Sequence, residues 1–506
     1  MKRRLAVGIV CCLLLPTRTR AQNVASDTAP PPVMREMRGA WIATVGNIDW
    51  PSRTGLSSDE QQRELIAILD RLVELKMNAA IFQVRPAADA LYASRLEPWS
   101  EFLSGEMGRA PSPYYDPLEF AVTEAHKRGL ELHAWINPYR ARYSTVRPAS
   151  KSHITRANPR LVRNYGSYVW MDPGDAAVRA RTKRVVLDIV KRYDVDGIHL
   201  DDYFYPYPES REGREIPFPD DATWKRYQRR GGKLSRGDWR RHNVDLLVSE
   251  LYRGVHAVKP WVRFGVSPFG IWRPGYPASV SGLDQYSALY ADARKWWNEG
   301  WVDYLVPQLY WSLDRPQQSY VELLHWWSAE NLHHRNLWAG NYTGKVGFTT
   351  SAKWSVSEVI EQIRRTRGEA GASGNVHFSM KVFMADPDML NEQLLREVYG
   401  APALPPASGW LDDQTPGSPR LIPRVDEATG ERLVEITAPV RVRKDTHAAA
   451  PRLWVVQARS DDGWTTAILP ATTRFYSLRP RTTDVRVRAV DRVGHLGPDA
   501  RIALPR

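Results

Sequence analysis

From residue 34 to about residue 399 the chain alternates short β-like runs with longer amphipathic helical runs, the pattern of parallel strands joined by crossover helices. Strand candidates fall at 38–44, 78–85, 131–137, 197–203, 263–269, 304–310, 337–342 and 376–383. Eight is the number at which such a sheet closes on itself, so the expected fold is α/β, a (β/α)8 TIM barrel over 34–399. The first helix shows Leu65, Ile66, Leu69, Leu72 and Val73 on one face, and Ser57 with Glu60 reads as its capping box. Ser355 with Glu358 opens the helix before the eighth strand in the same way. Further helices are expected at 117–128, 176–193, 239–258, 288–299, 320–330 and 388–399. An open doubly wound sheet is the structural alternative, but no glycine-rich phosphate turn follows the first strand.

Beyond Gly400 the texture changes. A Pro/Gly/Ser-rich linker at 400–419 precedes β-like segments at 433–438, 453–459 and 484–490, which predict a small all-β sandwich over 420–506. Its ending, from Val485 to Gly494, is similar to the last hairpin of fibronectin III-like modules, and an accessory role is expected for it.

At the other end, Lys2, Arg3 and Arg4 precede an apolar run from Leu5 to Leu15, too short for a membrane span, with small residues near Ala21. We read 1–21 as a signal peptide and 22–33 as a flexible tether, so the expected location is periplasmic or secreted. Both cysteines, Cys11 and Cys12, fall in the signal, and neither follows the small residue of a good lipoprotein site, so a lipid anchor is poorly supported. Cleavage leaves a chain without cysteine, which excludes disulfides, thiolate metal sites and a cysteine nucleophile. It also removes five basic and no acidic residues, lowering the formal charge from +13 to +8. A diffuse basic surface suits peripheral association with anionic envelope components; export argues against a nucleic-acid partner. Twenty tryptophans favour glycan binding weakly, since most fill cores in any large fold. The oligomeric state is not readable.

In a TIM barrel the reactive groups stand at the C-terminal ends of the strands. The fourth strand ends His199-Leu200-Asp201-Asp202-Tyr203, and strand alternation puts His199, Asp201 and Tyr203 on one face. Asp202 faces away unless the strand stops there, as the following aromatic and proline residues suggest. Asp196, at the entry end, reads as structural. Other strand ends add Gln83 and Arg85 on the second, His133, Trp135 and Asn137 on the third, Gln308 and Tyr310 on the sixth, Asn341 or Tyr342 on the seventh and Lys381 on the eighth. Neutral donors and acceptors beside aromatic platforms suit a hydroxyl-rich ligand. His133 and His199 are expected to be satisfied core histidines. Carboxylates in that company suit cleavage of a glycosidic bond by acid/base or nucleophilic catalysis. Asp201 is the first carboxylate and Asp202 the preferred second, with Asp49, Asp314 and Asp386 as competitors.

These residues carry a family resemblance. Arg38-Gly39-Ala40-Trp41, Phe82-Gln83-Val84-Arg85-Pro86, the eight residues from His133 to Arg140, the Asp196 to Pro206 stretch, the ten residues from Phe264 to Arg273 and the nine from Asp303 to Trp311 together resemble the glycosyl-hydrolase-like family 10 of bacterial envelope proteins. The resemblance covers about 34–399. It implies an exported TIM-barrel glycosidase acting on an envelope glycan such as peptidoglycan strands, with a polysaccharide as partner and no cofactor. Carried onto this sequence, its functional positions are Asp201 and Asp202, then Asn137, Arg140 and Gln308. Members are often lipoproteins, a point on which this signal departs. Two rival readings remain: a glycan-binding barrel without catalysis, and a metal-dependent deacetylase using His133, His199 and Asp201, against which stands the missing His-x-His on the first strand.

Overall fold

The computed structural model describes residues 29–143, 147–348, 353–438 and 450–505. The expected signal peptide, 1–21, and the start of the expected tether lie outside the described residues.

Eight parallel strands close into a barrel: β1 (Met37–Ile42), β2 (Ala79–Arg85), β3 (Glu131–Ile136), β4 (Gly197–Leu200), β5 (Arg263–Val266), β6 (Tyr304–Leu305), β7 (Asn336–Asn341) and β8 (Ala372–His377), paired in chain order with β8 returning to β1. Helices α1 (Ser58–Glu74), α2 (Pro117–Lys127), α3 (Ala176–Arg192), α4 (Arg236–Val258), α5 (Ala293–Asn298), α6 (Tyr320–Ala329), α7 (Val356–Gly368), α8 (Met380–Ala385) and α9 (Leu390–Glu397) cover it. In α1 both halves of the Ser57/Glu60 capping box form, a device contributing about 1 kcal/mol. The buried stripe is Leu65, Ile68, Leu69 and Leu72, while Val73 turns to solvent, one position off the face expected from the sequence. In α7 only half of the second box forms: Ser355 accepts from the Glu358 N–H, but the Glu358 carboxylate accepts from Leu313 N (2.7 Å) instead.

Strand alternation divides two cores. Leu132, Ala134, Ile136, Ile198 and Leu200 face the helices; Met37, Trp41, Ile81, Trp135, Tyr304, Val306 and Trp338 fill the barrel interior. Such bulky side chains fit only where a neighbouring strand offers none. A Cβ on Gly197 would stand 2.5 Å from His133 Nδ1, and one on Gly265 2.2 Å from the Tyr304 ring. Polar groups inside the barrel bond one another: the Tyr304 hydroxyl contacts His133 Nδ1 (2.9 Å) and His199 Nδ1 (3.2 Å), and Trp41 Nε1 donates to His199 Nε2 (3.1 Å). Hence the barrel is a packed body with a floor directly under its C-terminal mouth.

The eighth strand departs from expectation. It spans Ala372–His377, four residues earlier than read from the sequence, and the apolar run after it forms α8, burying Met380, Val382 and Phe383. Lys381 therefore lies exposed on a helix rather than at a strand end.

After the barrel, residues 400–419 hold to its N-terminal face. Ala403–Leu404 pair in parallel with Met34–Arg35, Arg263 Nε donates to Ser408 Oγ (2.8 Å), and Trp410 Nε1 to Asp303 (2.8 Å). The C-terminal domain is an all-β sandwich. A three-stranded antiparallel sheet (Arg420–Val425, Arg432–Thr437, Phe475–Ser477) faces a four-stranded one (Leu453–Ser460, Gly463–Pro470, Asp484–Val490, Ala500–Ala503) over Val434, Ile436, Trp454, Val456, Val485 and Val487. Arg492 and Arg452 reach from it to Asp196 (3.7 and 3.6 Å), whose carboxylate also accepts from His126 (2.9 Å) and Leu132 N (2.8 Å). These cations hold Asp196 well below the usual carboxylate range, against its burial. Asp196 thus ties sandwich to barrel at the end remote from the mouth.

Candidate active site

The strand ends at the mouth are set by what stops each strand. β4 ends at Leu200, and the chain turns immediately, so Asp201 continues the inward face of His199 while Asp202 leaves the alternation. Both carboxylates line one cleft of about 310 Å³, at the lower end of small-ligand clefts. On β6, Pro307 interrupts the ladder after Leu305, but Gln308 bridges to Phe269 on one side and Gly340 on the other. That keeps Gln308 and Tyr310 on the inward face begun by Tyr304 and Val306, and both line the cleft. Trp135, Arg140 and Tyr203 line it too.

The two acids have different partners. Asp201 Oδ2 accepts from Trp135 Nε1 (3.0 Å) and Asn137 Nδ2 (3.1 Å), and its Oδ1 from Tyr203 N (3.4 Å). Asn137 does not itself line the cleft; it orients Asp201, and its Oδ1 accepts from Arg140 N (2.8 Å). Asp202 Oδ2 accepts from the Tyr207 hydroxyl, with Gln308 as second partner. Gln308 is held in turn by donating to the Ser267 carbonyl (3.1 Å). The Arg140 guanidinium stacks over the Tyr203 ring (4.8 Å) and donates to the Pro86 carbonyl (3.0 Å). Burial pushes the Asp201 carboxyl up to about 6, opposed by Arg140 and reinforced by the charge of Asp202. Burial raises Asp202 as well, against the bonds from Tyr207 and Gln308. Two carboxyls that each resist ionisation release their protons as a pair, so one proton is retained into the mildly acidic range.

Besides Asn137, three expected site residues do not reach the cleft. Arg85 is turned away by a register shift between Gln83 and Arg85 that breaks the alternation, and it forms a fully buried bidentate pair with Glu97 (2.7 and 2.6 Å). Gln83 Oε1 accepts from Thr44 N and Val45 N (both 2.9 Å), pinning the turn after β1. Asn341 shares the outward face of Leu337 and Ala339 and bonds Gln362 (2.8 Å) and Asn375 (2.8 Å) behind the barrel. Its neighbour Tyr342 lines the cleft instead. Of the competing acids, Asp49 accepts from Ala43 N (2.6 Å), Ser379 Oγ (2.6 Å) and Lys381 N (2.7 Å), joining the β1 and β8 loops; Asp314 and Asp386 are exposed. The ring nitrogens of His133 and His199 face Tyr304, Glu131 and Trp41 below the floor, so they do not converge with Asp201 as ligands. Among the described residues no three His, Cys, Asp or Glu side chains gather as a metal site.

Sequence reasoning missed Trp41, Tyr143, Tyr207 and Phe378 in the cleft wall. Trp41 was within reach, since it lies on the inward face of β1 with Met37; the others sit on loops. A larger space of about 790 Å³ opens between α2 and the sandwich, but its lining carboxylate, Asp194, is paired with Arg492 (2.5 Å).

Over residues 36–356 the sequence matches the family described as Glycosyl hydrolase-like 10. It is 40% identical over 408 residues to Glycosyl hydrolase YngK of Bacillus subtilis (strain 168), covering 79% of each chain. It is 35% identical over 392 residues to Glycosyl hydrolase DigH of Escherichia coli (strain K12), covering 71% of this chain and 86% of that one. Among solved structures, the glycoside hydrolase domain of PgaB (BpsB) from Bordetella bronchiseptica aligns with a TM-score of 0.47 at 13% identity, over 72% of this chain and 99% of that one. With a match spanning most of the barrel and relatives this similar along most of their length, the chain belongs to the Glycosyl hydrolase-like 10 family.

Proposed function

We propose that the protein is an exported glycoside hydrolase that cleaves an envelope glycan such as peptidoglycan strands, with Asp201 and Asp202 as its catalytic acids. One observation carries the reading: two consecutive carboxyls, both slow to ionise, share a cleft walled mainly by aromatic rings, with Gln308, Ser267 and the Arg140 guanidinium as further polar groups. Tyr203 and Tyr207 pack edge to face beside the acids (5.5 Å), and Tyr310, Tyr342 and Phe378 cluster within 6.2 Å of one another. Sugar rings stack on such surfaces while a paired acid and carboxylate exchange protons with the linkage. The relatives' names as glycosyl hydrolases support the reaction class, and the basic, signal-like N-terminus supports export.

The test is release of reducing ends from isolated glycan strands by the purified protein and by Asp201→Asn and Asp202→Asn. We expect activity in the parent and a loss of at least about 10²-fold in each variant. Unchanged rates in both variants would remove these residues from the chemistry. The aromatic walls also favour a second reading, a barrel that binds glycans without cutting them; retained strand binding with no release by the parent would establish it.

A further inference from the structure

Consecutive residues have Cα atoms about 3.8 Å apart, and Asp201 and Asp202 leave the same strand end, so they occupy one wall of the cleft. A glycosidase that relies on two protein carboxylates needs them on opposite sides of the reacting sugar. β8 stands opposite β4 in the ring, and the wall on that side is supplied by Phe378, Tyr342, Ala43 and Ile48. Among the described cleft-lining residues the acids are Asp201 and Asp202 alone, and the undescribed barrel segments 144–146 and 349–352 contain neither Asp nor Glu. Asp49 is the acid on that side, and it lies off the cleft, tied to Ala43 N, Ser379 Oγ and Lys381 N.

We propose, on the hydrolase reading above, that the nucleophile belongs to the substrate: the cleft acts on 1,2-trans-linked sugars bearing a 2-acetamido group, whose carbonyl oxygen attacks the anomeric carbon. Asp201 accepts the acetamido N–H, and Asp202 is the acid and base at the glycosidic oxygen. The partners assign these roles. Every bond to Asp201 comes from an N–H, which can donate but never accept, so these partners favour its carboxylate form. Asp202 is bonded by a hydroxyl, and the Tyr207 O–H can rotate to accept from a protonated Asp202. In the first step Asp202 gives its proton to the leaving oxygen as the C1–O bond breaks. The acetamido oxygen bonds C1, and the nitrogen's proton passes to Asp201, leaving a neutral oxazoline. In the second step Asp202 takes a proton from water, the water oxygen bonds C1, the oxazoline C1–O bond breaks, and Asp201 returns its proton to nitrogen. The product keeps the configuration of the substrate, and no other reactant is consumed beyond water.

The experiment uses the full mature chain with isolated peptidoglycan glycan strands, the same strands chemically N-deacetylated, and the thiazoline analogue of N-acetylglucosamine. We expect cleavage of the acetylated strands, a fall of at least about 10²-fold on the deacetylated ones, competitive inhibition by the thiazoline, and a first-formed product of retained configuration by NMR. Cleavage of both strand types at similar rates without thiazoline inhibition overturns this proposal and leaves the hydrolase reading standing. A product of inverted configuration also overturns it and turns attention to Asp49 as a base. No release from any strand by the parent protein overturns the hydrolase reading itself, and this proposal with it.

Discussion

Replacing Asp201 by Asn should stabilise the protein at neutral pH by an amount that disappears in acid. In the folded protein burial holds this carboxyl at about 6, whereas in the unfolded chain it ionises near its ordinary value of 3.8. Between those values the folded state binds the extra proton, so stability falls as pH rises and the loss is complete above pH 6. The gap of about 2 units corresponds to about 3 kcal/mol, and with the side chain enclosed solvent screening takes little from it. Asn carries no such penalty. It can still accept one bond from Trp135 or Asn137, while its own NH2 opposes the other donor, a cost independent of pH that cancels on comparing pH values. For a barrel of this size, ~2.1 cal/mol/K per residue translates 3 kcal/mol into about 4 °C of melting temperature. Calorimetric melting of both proteins from pH 4 to pH 8 at fixed ionic strength measures this. The advantage of Asp201→Asn should grow by about 4 °C between pH 4 and pH 7 and then level off. A difference that stays constant or shrinks would mean that Asp201 ionises without cost, and the proton-retaining pair would have to be abandoned.

Arg85→Ala should leave buried Glu97 with only its contact to Arg181 (3.3 Å) and destabilise the protein by about 3 kcal/mol, read by urea unfolding. A weakened KM for glycan strands with unchanged stability would instead return Arg85 to substrate binding. Tyr207→Phe removes a bond that favours ionised Asp202, so the upper limb of the pH–rate profile should move to higher pH, with kcat down about 10-fold or more. An unmoved limb would separate Tyr207 from the titrating pair. Replacing both Arg452 and Arg492 by Ala removes the cations that reach Asp196 and should weaken the barrel–sandwich contact by about 1–2 kcal/mol. In calorimetry the sandwich should then melt earlier while the barrel transition holds.

What could be read from the sequence is what strand period controls. Trp135, Asn137, Gln308 and Tyr310 were placed on the inward face by counting in twos from apolar neighbours, and the structure has them there because bulk at Leu132, Ala134, Leu305 and Leu309 anchors the opposite face. Counting fails where the backbone inserts or drops a residue. The shift at Gln83 and Arg85 depends on β2 pairing with β3, a non-local fact with no local signature. The eighth strand was obscured for a related reason: Ala372-Ser373-Gly374-Asn375 has little β propensity, and Gly374, at φ +142°, lies where a Cβ would sit 2.2 Å from Met37 O. That segment is a strand because two neighbours dictate it, while the apolar run after it, which reads as strand alone, forms α8. The loop-borne side chains are harder still. Tyr207 stands five residues beyond Asp202, past Pro206, where no period applies, and only the return of that loop over the mouth brings its hydroxyl to the carboxylate. The acids of the site follow from the strand; the hydroxyl that bonds Asp202 follows from how a loop closes.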